Sequence, residues 1–163
     1  MKRKLFVVAI MALMVLSFAT AASASVADEL GPGTHSVNVD LYKATADEPS
    51  MGDPAILSPA SVTVANGVAT MTLGVTEMDY GLFTGYLEKL EYWNGTAYTD
   101  DGVVIVDNDS DDVPEAFIFP ITAETDILDE DEQVIGAWQK VRVTVNVFGA
   151  SMPVSEARLK IIF

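Results

Sequence analysis

Few residues of this 163-residue chain have the chemistry of a catalytic centre. The chain has one histidine, His35, and no cysteine. A nucleophile needs a base within hydrogen-bond reach and a third group that orients the base, and the sequence places no acidic or nucleophilic partner beside His35. Without cysteine, thiol chemistry, zinc–thiolate sites and iron–sulfur clusters are excluded. The sequence therefore predicts that the protein is not an enzyme and that His35 is an exposed residue at a strand end.

The acidic residues lie mostly in runs, and the run Asp107–Asp112 has the spacing of a metal loop. Oxygen ligands at alternate positions form the front half of a calcium loop. However, Asp112 stands where such a loop needs glycine, and Ile118 stands where it needs glutamate. Acidic runs of this kind are usually solvated and do not create the apolar surroundings that raise the pKa of a catalytic carboxyl. The sequence favours a solvated loop and leaves open weak Ca²⁺ binding at Asp107–Asp112.

Two methionines, Met51 and Met152, lie in loop-like segments beside glycine or proline. Exposed methionine suits an adaptable apolar contact surface, because its side chain is flexible and its thioether is polarisable. An equally good interpretation is that both side chains cover the ends of a hydrophobic core. Aromatic residues such as Tyr86 and Phe148 are expected in the core or in cross-strand pairs of a β-sheet protein.

The first 24 residues have the organisation of a secretory signal peptide. A basic segment, Lys2-Arg3-Lys4, precedes the apolar run Leu5–Phe18 and the small-residue cleavage site Ala22-Ser23-Ala24. Cleavage would remove three of nine basic residues and none of the 24 acidic residues, and would change the formal net charge from −15 to −18. Such a surface repels nucleic acids and anionic lipids. The sequence thus predicts an extracellular protein, secreted or associated with the cell wall, with no membrane span after cleavage.

The remaining sequence has the alternating pattern of β-strands. After a flexible leader over residues 25–33, Val37, Val39 and Leu41 alternate with polar residues, and strict alternation returns in the run Val141–Val147. Asn66-Gly67 joins two such runs and is a strong signal for a tight hairpin turn. About eight short strands and no amphipathic helix predict one all-β domain over residues 34–163, an immunoglobulin-like antiparallel β-sandwich.

The strand motifs of this chain resemble those of the NEAT (near iron transporter) domain, a haem-binding immunoglobulin-like module of Gram-positive secreted and wall proteins. The resemblance is to the clostridial type of the domain and extends over the whole predicted domain. The matching motifs are Val37-x-Val39-x-Leu41, Pro49-Ser50-Met51, Pro59-Ala60-x-Val62-x-Val64-x-Asn66-Gly67, Gly85-Tyr86-Leu87 and Val143-x-Val145-x-Val147 with its return to Phe163.

The resemblance implies that haem lies between a short turn after the first strand and the last β-hairpin. Ser50 and Met51 match the turn residues that cover one haem face and a propionate, Phe148 and Met152 lie on the hairpin side, and Tyr86 is a further candidate. The family's Tyr-x-x-x-Tyr motif, whose first tyrosine ligates ferric iron, is absent from residues 149–158. In that segment Met152 is the candidate iron ligand, and thioether ligation raises the reduction potential of haem iron.

The resemblance predicts capture or relay of haem or a related porphyrin for iron uptake, with other haem-relay proteins of the cell surface as partners. Haemoglobin capture is not supported, because Asp47-Glu48-Pro49-Ser50-Met51 contains no aromatic residue. The missing tyrosine motif keeps an alternative open. In that alternative the chain is a non-enzymatic interaction or adhesion module that binds protein or glycan through the same loops, without a cofactor.

Overall fold

The computed structural model describes residues 25–109, 111–122 and 125–163. The predicted signal peptide, residues 1–24, lies outside the described residues. The elements in chain order are α1 (Val26–Leu30), β1 (Gly33–Lys43), a 3₁₀ helix (Asp53–Ala55), β2 (Ala60–Ala65), β3 (Val68–Gly74), β4 (Met78–Tyr80), β5 (Phe83–Trp93), β6 (Tyr98–Thr99), β7 (Val104–Val106), β8 (Ala116–Pro120), β9 (Thr125–Leu128), β10 (Val134–Val147), β11 (Ala150–Ser151) and β12 (Ser155–Ile162).

The strands form an antiparallel β-sandwich, which confirms the predicted fold class. One layer has the order β4-β5-β10-β12-β1, and the other has the order β1-β2-β3-β8-β7. Strand β1 belongs to both layers: its residues 33–37 pair with β2, and its residues 38–43 pair with β12. The layers meet in the core, where the ring of Tyr92 on β5 stacks on that of Phe119 on β8 at 6.2 Å between centroids.

The alternating sequence pattern explains most of the core. Val37, Val39 and Leu41 of β1 are all buried, as predicted. The turn at Asn66-Gly67 has positive φ at both residues, 53° and 75°, as the hairpin β2–β3 requires. Among the described residues, no helix has the length and apolar character needed to cross a membrane.

The structure differs from the flexible leader predicted over residues 25–33. Ser25 caps the one-turn helix α1, since its Oγ accepts a hydrogen bond from the backbone N–H of Asp28. The side chains of Val26 and Ala27 are buried in the core. The sequence pattern of this short segment is that of a flexible leader. Burial of Val26 and Ala27 depends on contacts with distant parts of the chain, which the local pattern does not show.

The predicted alternation of inward valines and outward polar residues fails near the end of β10. Val141 and Val143 are buried as predicted, but Asn146 is also buried, at 6% exposure, and Val145 is only half-buried. A β-bulge interrupts the pairing of β10 with β5 between Thr144 and Val145. Beyond the bulge, the two-residue strand β11 pairs with β10 at Asn146. This pairing covers Asn146, which the sequence pattern predicts to face solvent.

Candidate functional site

A cavity of about 260 Å³ lies between the segment Ser50–Gly52 and the hairpin formed by β10 and β12. Met78 of β4, which is 8% exposed, contributes an apolar side chain to the cavity wall. The full lining consists of three methionines, three valines, two serines and one glycine: Met51, Met78, Met152, Val143, Val145, Val147, Ser50, Ser155 and Gly52. No ionisable side chain belongs to this set, so the cavity suits an apolar ligand.

The first wall of the cavity is tied to the end of β1. The backbone N–H of Ser50 donates to the carbonyl of Leu41 at 2.7 Å, and the Ser50 Oγ accepts from the N–H of Gly52 at 3.3 Å. Asp53 begins the 3₁₀ helix and accepts a 2.6 Å hydrogen bond from the N–H of Leu41 through its carboxylate. These bonds fix the backbone, while the Met51 side chain remains 69% exposed at the cavity mouth.

The second wall comes from alternate residues of β10 and from the chain that follows it. Val143, Val145 and Val147 face the same side of the sheet, as the two-residue period of a strand requires. The backbone N–H of Met152 donates to the carbonyl of Val145 at 2.8 Å. This bond folds the connection between β11 and β12 back onto β10 and places the half-exposed Met152 side chain at the cavity.

The structure brings three of the five predicted site residues together and separates the other two. Ser50, Met51 and Met152 share the cavity. Phe148 lies outside its lining, 73% exposed at the hairpin tip, with its ring edge-to-face against Phe83 at 4.8 Å. Tyr86 also lies outside the lining; it is a half-buried residue of β5 that pairs with Asn146.

Sequence reasoning missed two further residues of the cavity lining, the buried Met78 and the exposed Ser155. The valines of β10 were recognised only as residues of the inward face. Alternating valines give the same pattern whether they meet a packed core or the wall of a cavity, so the sequence carried no signal that distinguishes the two.

A second, larger cavity of about 440 Å³ lies at another part of the sandwich, beside α1 and the turn at Gly67. Ser25, Ala27 and Ala69 are typical of its lining, which contains no methionine, aromatic or ionisable side chain. This cavity is larger than the methionine-lined one, but it offers no iron ligand and no stacking surface.

The acidic loop predicted as a weak calcium site brings together a different set of carboxylates. Oxygens of Asp107, Asp109 and Glu115 lie within 4.8 Å of one another. Desolvation, with repulsion from nearby Asp111, raises the pKa of the Asp109 carboxyl. Glu115 Oε2 already accepts two hydrogen bonds from Asn108, at 2.7 and 3.0 Å. Exposed acidic groups often cluster without a metal, and calcium binding here stays a prediction.

Comparison with solved structures gives the fold an independent identification. The chain is similar to the NEAT5 domain of IsdX2, described as a B. anthracis hemophore in complex with heme, with a TM-score of 0.58 and 14% sequence identity. The alignment covers 80% of this chain and 96% of that domain. A mutant of the same domain, also in complex with heme, matches with the same TM-score and identity and with 95% coverage of that chain.

The sequence comparisons give no further relatives. No family model matches this sequence, and no curated protein matches it either. The likeness is therefore one of structure, at an identity where fold is retained and residue roles need their own evidence. The chain has the fold of a NEAT domain, as the sequence motifs predicted.

Proposed function

We propose that this chain, whose fold is that of a NEAT domain, binds haem or a related porphyrin in the cavity between Ser50–Gly52 and the last hairpin. The observation that carries the proposal is the cavity itself. It lies between a turn after the first strand and the hairpin of the last two strands, and both walls carry a methionine. Haem in complex with the structural neighbours supports the same ligand class.

The two walls supply the chemistry that a haem iron requires. A thioether sulfur is an established axial ligand of haem iron, and it favours the ferrous state by raising the reduction potential. Met51 stands on one wall and Met152 on the other. We therefore assign both side chains as candidate iron ligands, which extends the sequence-based hypothesis of Met152 alone.

The size and polarity of the cavity indicate how a porphyrin would lie. At about 260 Å³ the cavity lies just below the usual range for small-molecule sites, roughly 300–1,000 Å³. A porphyrin would therefore be enclosed only in part, with one edge at the mouth beside the exposed Met51 and Met152. No basic side chain lines the cavity, so the propionates would stay in solvent or accept hydrogen bonds from Ser50 or Ser155.

A role in extracellular capture or relay of haem is part of the same proposal. A ligand with an exposed edge can be passed to another protein without complete opening of the cavity. The secreted location, the role in iron uptake and the relay partners rest on the signal-peptide pattern of residues 1–24 and on the NEAT motifs.

A second candidate function is an interaction module that uses the same end of the sandwich without a cofactor. Three apolar side chains support it: Leu82 is 92% exposed, Phe148 is 73% exposed, and Phe83 contacts Phe148. Phe148 directly follows Val147 of the cavity wall, so a protein partner and haem would compete for one region.

A hemin titration of residues 25–163, the chain without its predicted signal peptide, tests the proposal with and without dithionite. We expect a saturable Soret band at one haem per chain. The variants Met51→Leu and Met152→Leu keep side-chain volume but remove sulfur, and each should shift the band and weaken binding about tenfold or more, in keeping with the loss of an iron–ligand bond. Val154→Leu is the matched control, because Val154 is an exposed apolar residue of the same hairpin outside the cavity lining.

The outcomes separate the two candidate functions. Absence of saturable binding in both oxidation states would overturn the haem proposal and favour the interaction module. If the Soret band is unchanged in the double variant Met51→Leu/Met152→Leu, haem binding is supported but ligation of the iron by either methionine is wrong.

A further inference from the structure

The face of the sheet opposite the haem cavity has a distinct composition. Four basic residues alternate along β10 and β12: Lys140, Arg142, Arg158 and Lys160. The residues between them, such as Val141 and Leu159, are buried in the core. The two-residue period of a strand therefore turns all four cations to the outer surface.

Each of the four cations lies over an aromatic ring. The guanidinium of Arg142 is 4.0 Å from the ring centroid of Tyr98, and that of Arg158 is 4.4 Å from that of Trp138. Lys140 Nζ lies 5.5 Å from the centroid of Trp93, and Lys160 Nζ lies 5.6 Å from that of Tyr42. Cation–π contacts of this kind hold rings and charged groups in fixed relation on an exposed surface.

A groove of about 290 Å³ crosses this outer face. One side is formed by Trp93 and Tyr98, whose rings meet edge-to-face at 5.2 Å, and the other side is formed by Ala44 and Thr45 after β1. Lys140, Glu156 and Arg158 lie between them on β10 and β12. From β5 to β1 the groove crosses three strand spacings, or about 14 Å, which is long enough for a short oligosaccharide.

The side of the groove formed by Ala44 and Thr45 is held in place by Arg158. The guanidinium donates hydrogen bonds to the carbonyls of Lys43 and Ala46, at 3.1 and 3.0 Å, and to the carboxylate of Asp47 at 2.8 Å. The same guanidinium also stacks on the ring of Trp138. The groove is thus shaped before any ligand binds, which lowers the entropic cost of binding.

Glu156 provides a hydrogen-bond acceptor in the floor of the groove. Its Oε1 accepts from both Nε and Nη2 of Arg142, at 3.2 and 2.6 Å. The groove therefore combines aromatic rings with a carboxylate oxygen and the N–H donors of Lys140 and Arg158.

We propose that this groove is a second binding site and that its ligand is a neutral saccharide. The apolar face of a sugar ring stacks on Trp93 and its edge contacts Tyr98, while its hydroxyl groups donate to Glu156 and accept from Lys140. The formal net charge of −15 disfavours a polyanionic ligand. The two sites lie on opposite faces of β12, because Ser155 lines the proposed haem cavity and the next residue, Glu156, lines the groove. The protein can therefore hold a glycan on one face and present the haem cavity on the other.

Tryptophan fluorescence of residues 25–163 tests this site, since both tryptophans of the chain, Trp93 and Trp138, lie on the outer face. Triacetylchitotriose and cellotriose serve as neutral probes, and trigalacturonate serves as an anionic probe of similar length. We expect saturable quenching or enhancement by at least one neutral probe, with a dissociation constant of about 1 mM or lower. Trigalacturonate should bind more weakly.

Two variants and one control assign the signal to the groove. Trp93→Ala should weaken binding about tenfold, the value of one lost aromatic contact, and Glu156→Gln should weaken it several-fold while conserving shape. Trp138→Phe is the control, because it retains a ring under Arg158 outside the groove lining. Isothermal titration calorimetry measures binding in the variant that lacks Trp93, and circular dichroism establishes that it is folded.

Three results would overturn the proposal: no saturable response to either neutral probe, undiminished binding in folded Trp93→Ala, or tighter binding of trigalacturonate than of both neutral probes. Because the groove and the haem cavity lie on opposite faces, hemin binding by the same variants should stay unchanged.

Discussion

The two halves of β10 lie in one strand but have opposite packing. In the first half, Ala137, Gln139 and Val141 are at most 1% exposed, and Gly136 is also buried. In the second half, Val145 and Val147 are half-buried and line the methionine cavity. Asn146, although buried, has a side-chain oxygen without a hydrogen-bond partner among the described residues. We call residues 136–143 the closed half of β10 and residues 145–147 its open half.

The difference follows from what covers each half. The closed half pairs continuously with β12, and Gln139 reaches across the sandwich to the backbone of Thr122. The open half lies beyond the bulge between Thr144 and Val145, where the two-residue strand β11 takes the place of β12 as its neighbour. Its valines face the irregular segment Ser50–Gly52 across the cavity. A strand can thus contribute a rigid core at one end and a ligand cavity at the other, since each half depends on its own neighbours.

The largest effect should follow from a side chain added in the closed half at Gly136. A Cβ atom at this position would lie 2.2 Å from the backbone carbonyl oxygen of Ile161, which cannot move without breaking the β10–β12 pairing. We expect Gly136→Ala to lower the free energy of unfolding by about 3 kcal/mol or more. Urea denaturation followed by circular dichroism measures the change.

Gly85→Ala is the matched control beside the open half, because Gly85 of β5 pairs with Val147. There a Cβ atom would lie 3.1 Å from both the carbonyl oxygen of Asn146 and a methyl group of Val147, which borders the cavity and has room to move. The cost should be about 1 kcal/mol. Equal costs for Gly136→Ala and Gly85→Ala would contradict the contrast between the two halves.

A smaller effect should follow from removal of the buried amide in the closed half. Gln139 Oε1 accepts from the N–H of Thr122 at 2.6 Å, and Gln139 Nε2 donates to the carbonyls of Trp93 and Lys140 at 3.1 and 3.0 Å. Gln139→Leu removes the acceptor of the Thr122 N–H and one of the two donors to the Trp93 carbonyl, which also accepts from Thr122 Oγ1. The loss should cost about 2 kcal/mol of unfolding free energy.

Asn146→Leu is the corresponding substitution in the open half. The Oδ1 atom of Asn146 is buried and has no partner, so its replacement removes a polar group that gains nothing from burial. We expect this variant to be nearly neutral or more stable than the parent. A loss comparable to that of Gln139→Leu would show that Asn146 makes a contact on which the open half depends.

The closed half and several of the strands around it were predictable from the sequence. Alternating apolar residues located β1, β10 and the β2–β3 hairpin, and Asn66-Gly67 fixed the turn between the hairpin strands. These signals are local, since a strand shows its buried face within a few residues. Burial of α1 and of Asn146 was not predictable, because each depends on residues distant in the sequence.

The open half was predictable only where its residues lie outside regular structure. Met51 and Met152 were recognisable because large apolar side chains are unusual beside turn residues. Met78 and the valines of β10 were not recognisable as cavity residues, since they follow the same pattern as a packed core. Phe148 and Tyr86 were assigned from their positions in motifs, and the structure places both outside the cavity lining.

The most direct comparison comes from the same substitution in each half. Val141 is fully buried, so Val141→Ala removes two packed methyl groups and should cost about 2 kcal/mol without an effect on hemin affinity. Val145→Ala acts on a half-buried side chain at the cavity wall and should cost about 1 kcal/mol or less, but it should change hemin affinity several-fold. Urea denaturation and hemin titration of both variants give the four values. If Val141→Ala changed hemin affinity as much as Val145→Ala does, the cavity would depend on the closed core, and the division of β10 into a stabilising half and a binding half would be wrong.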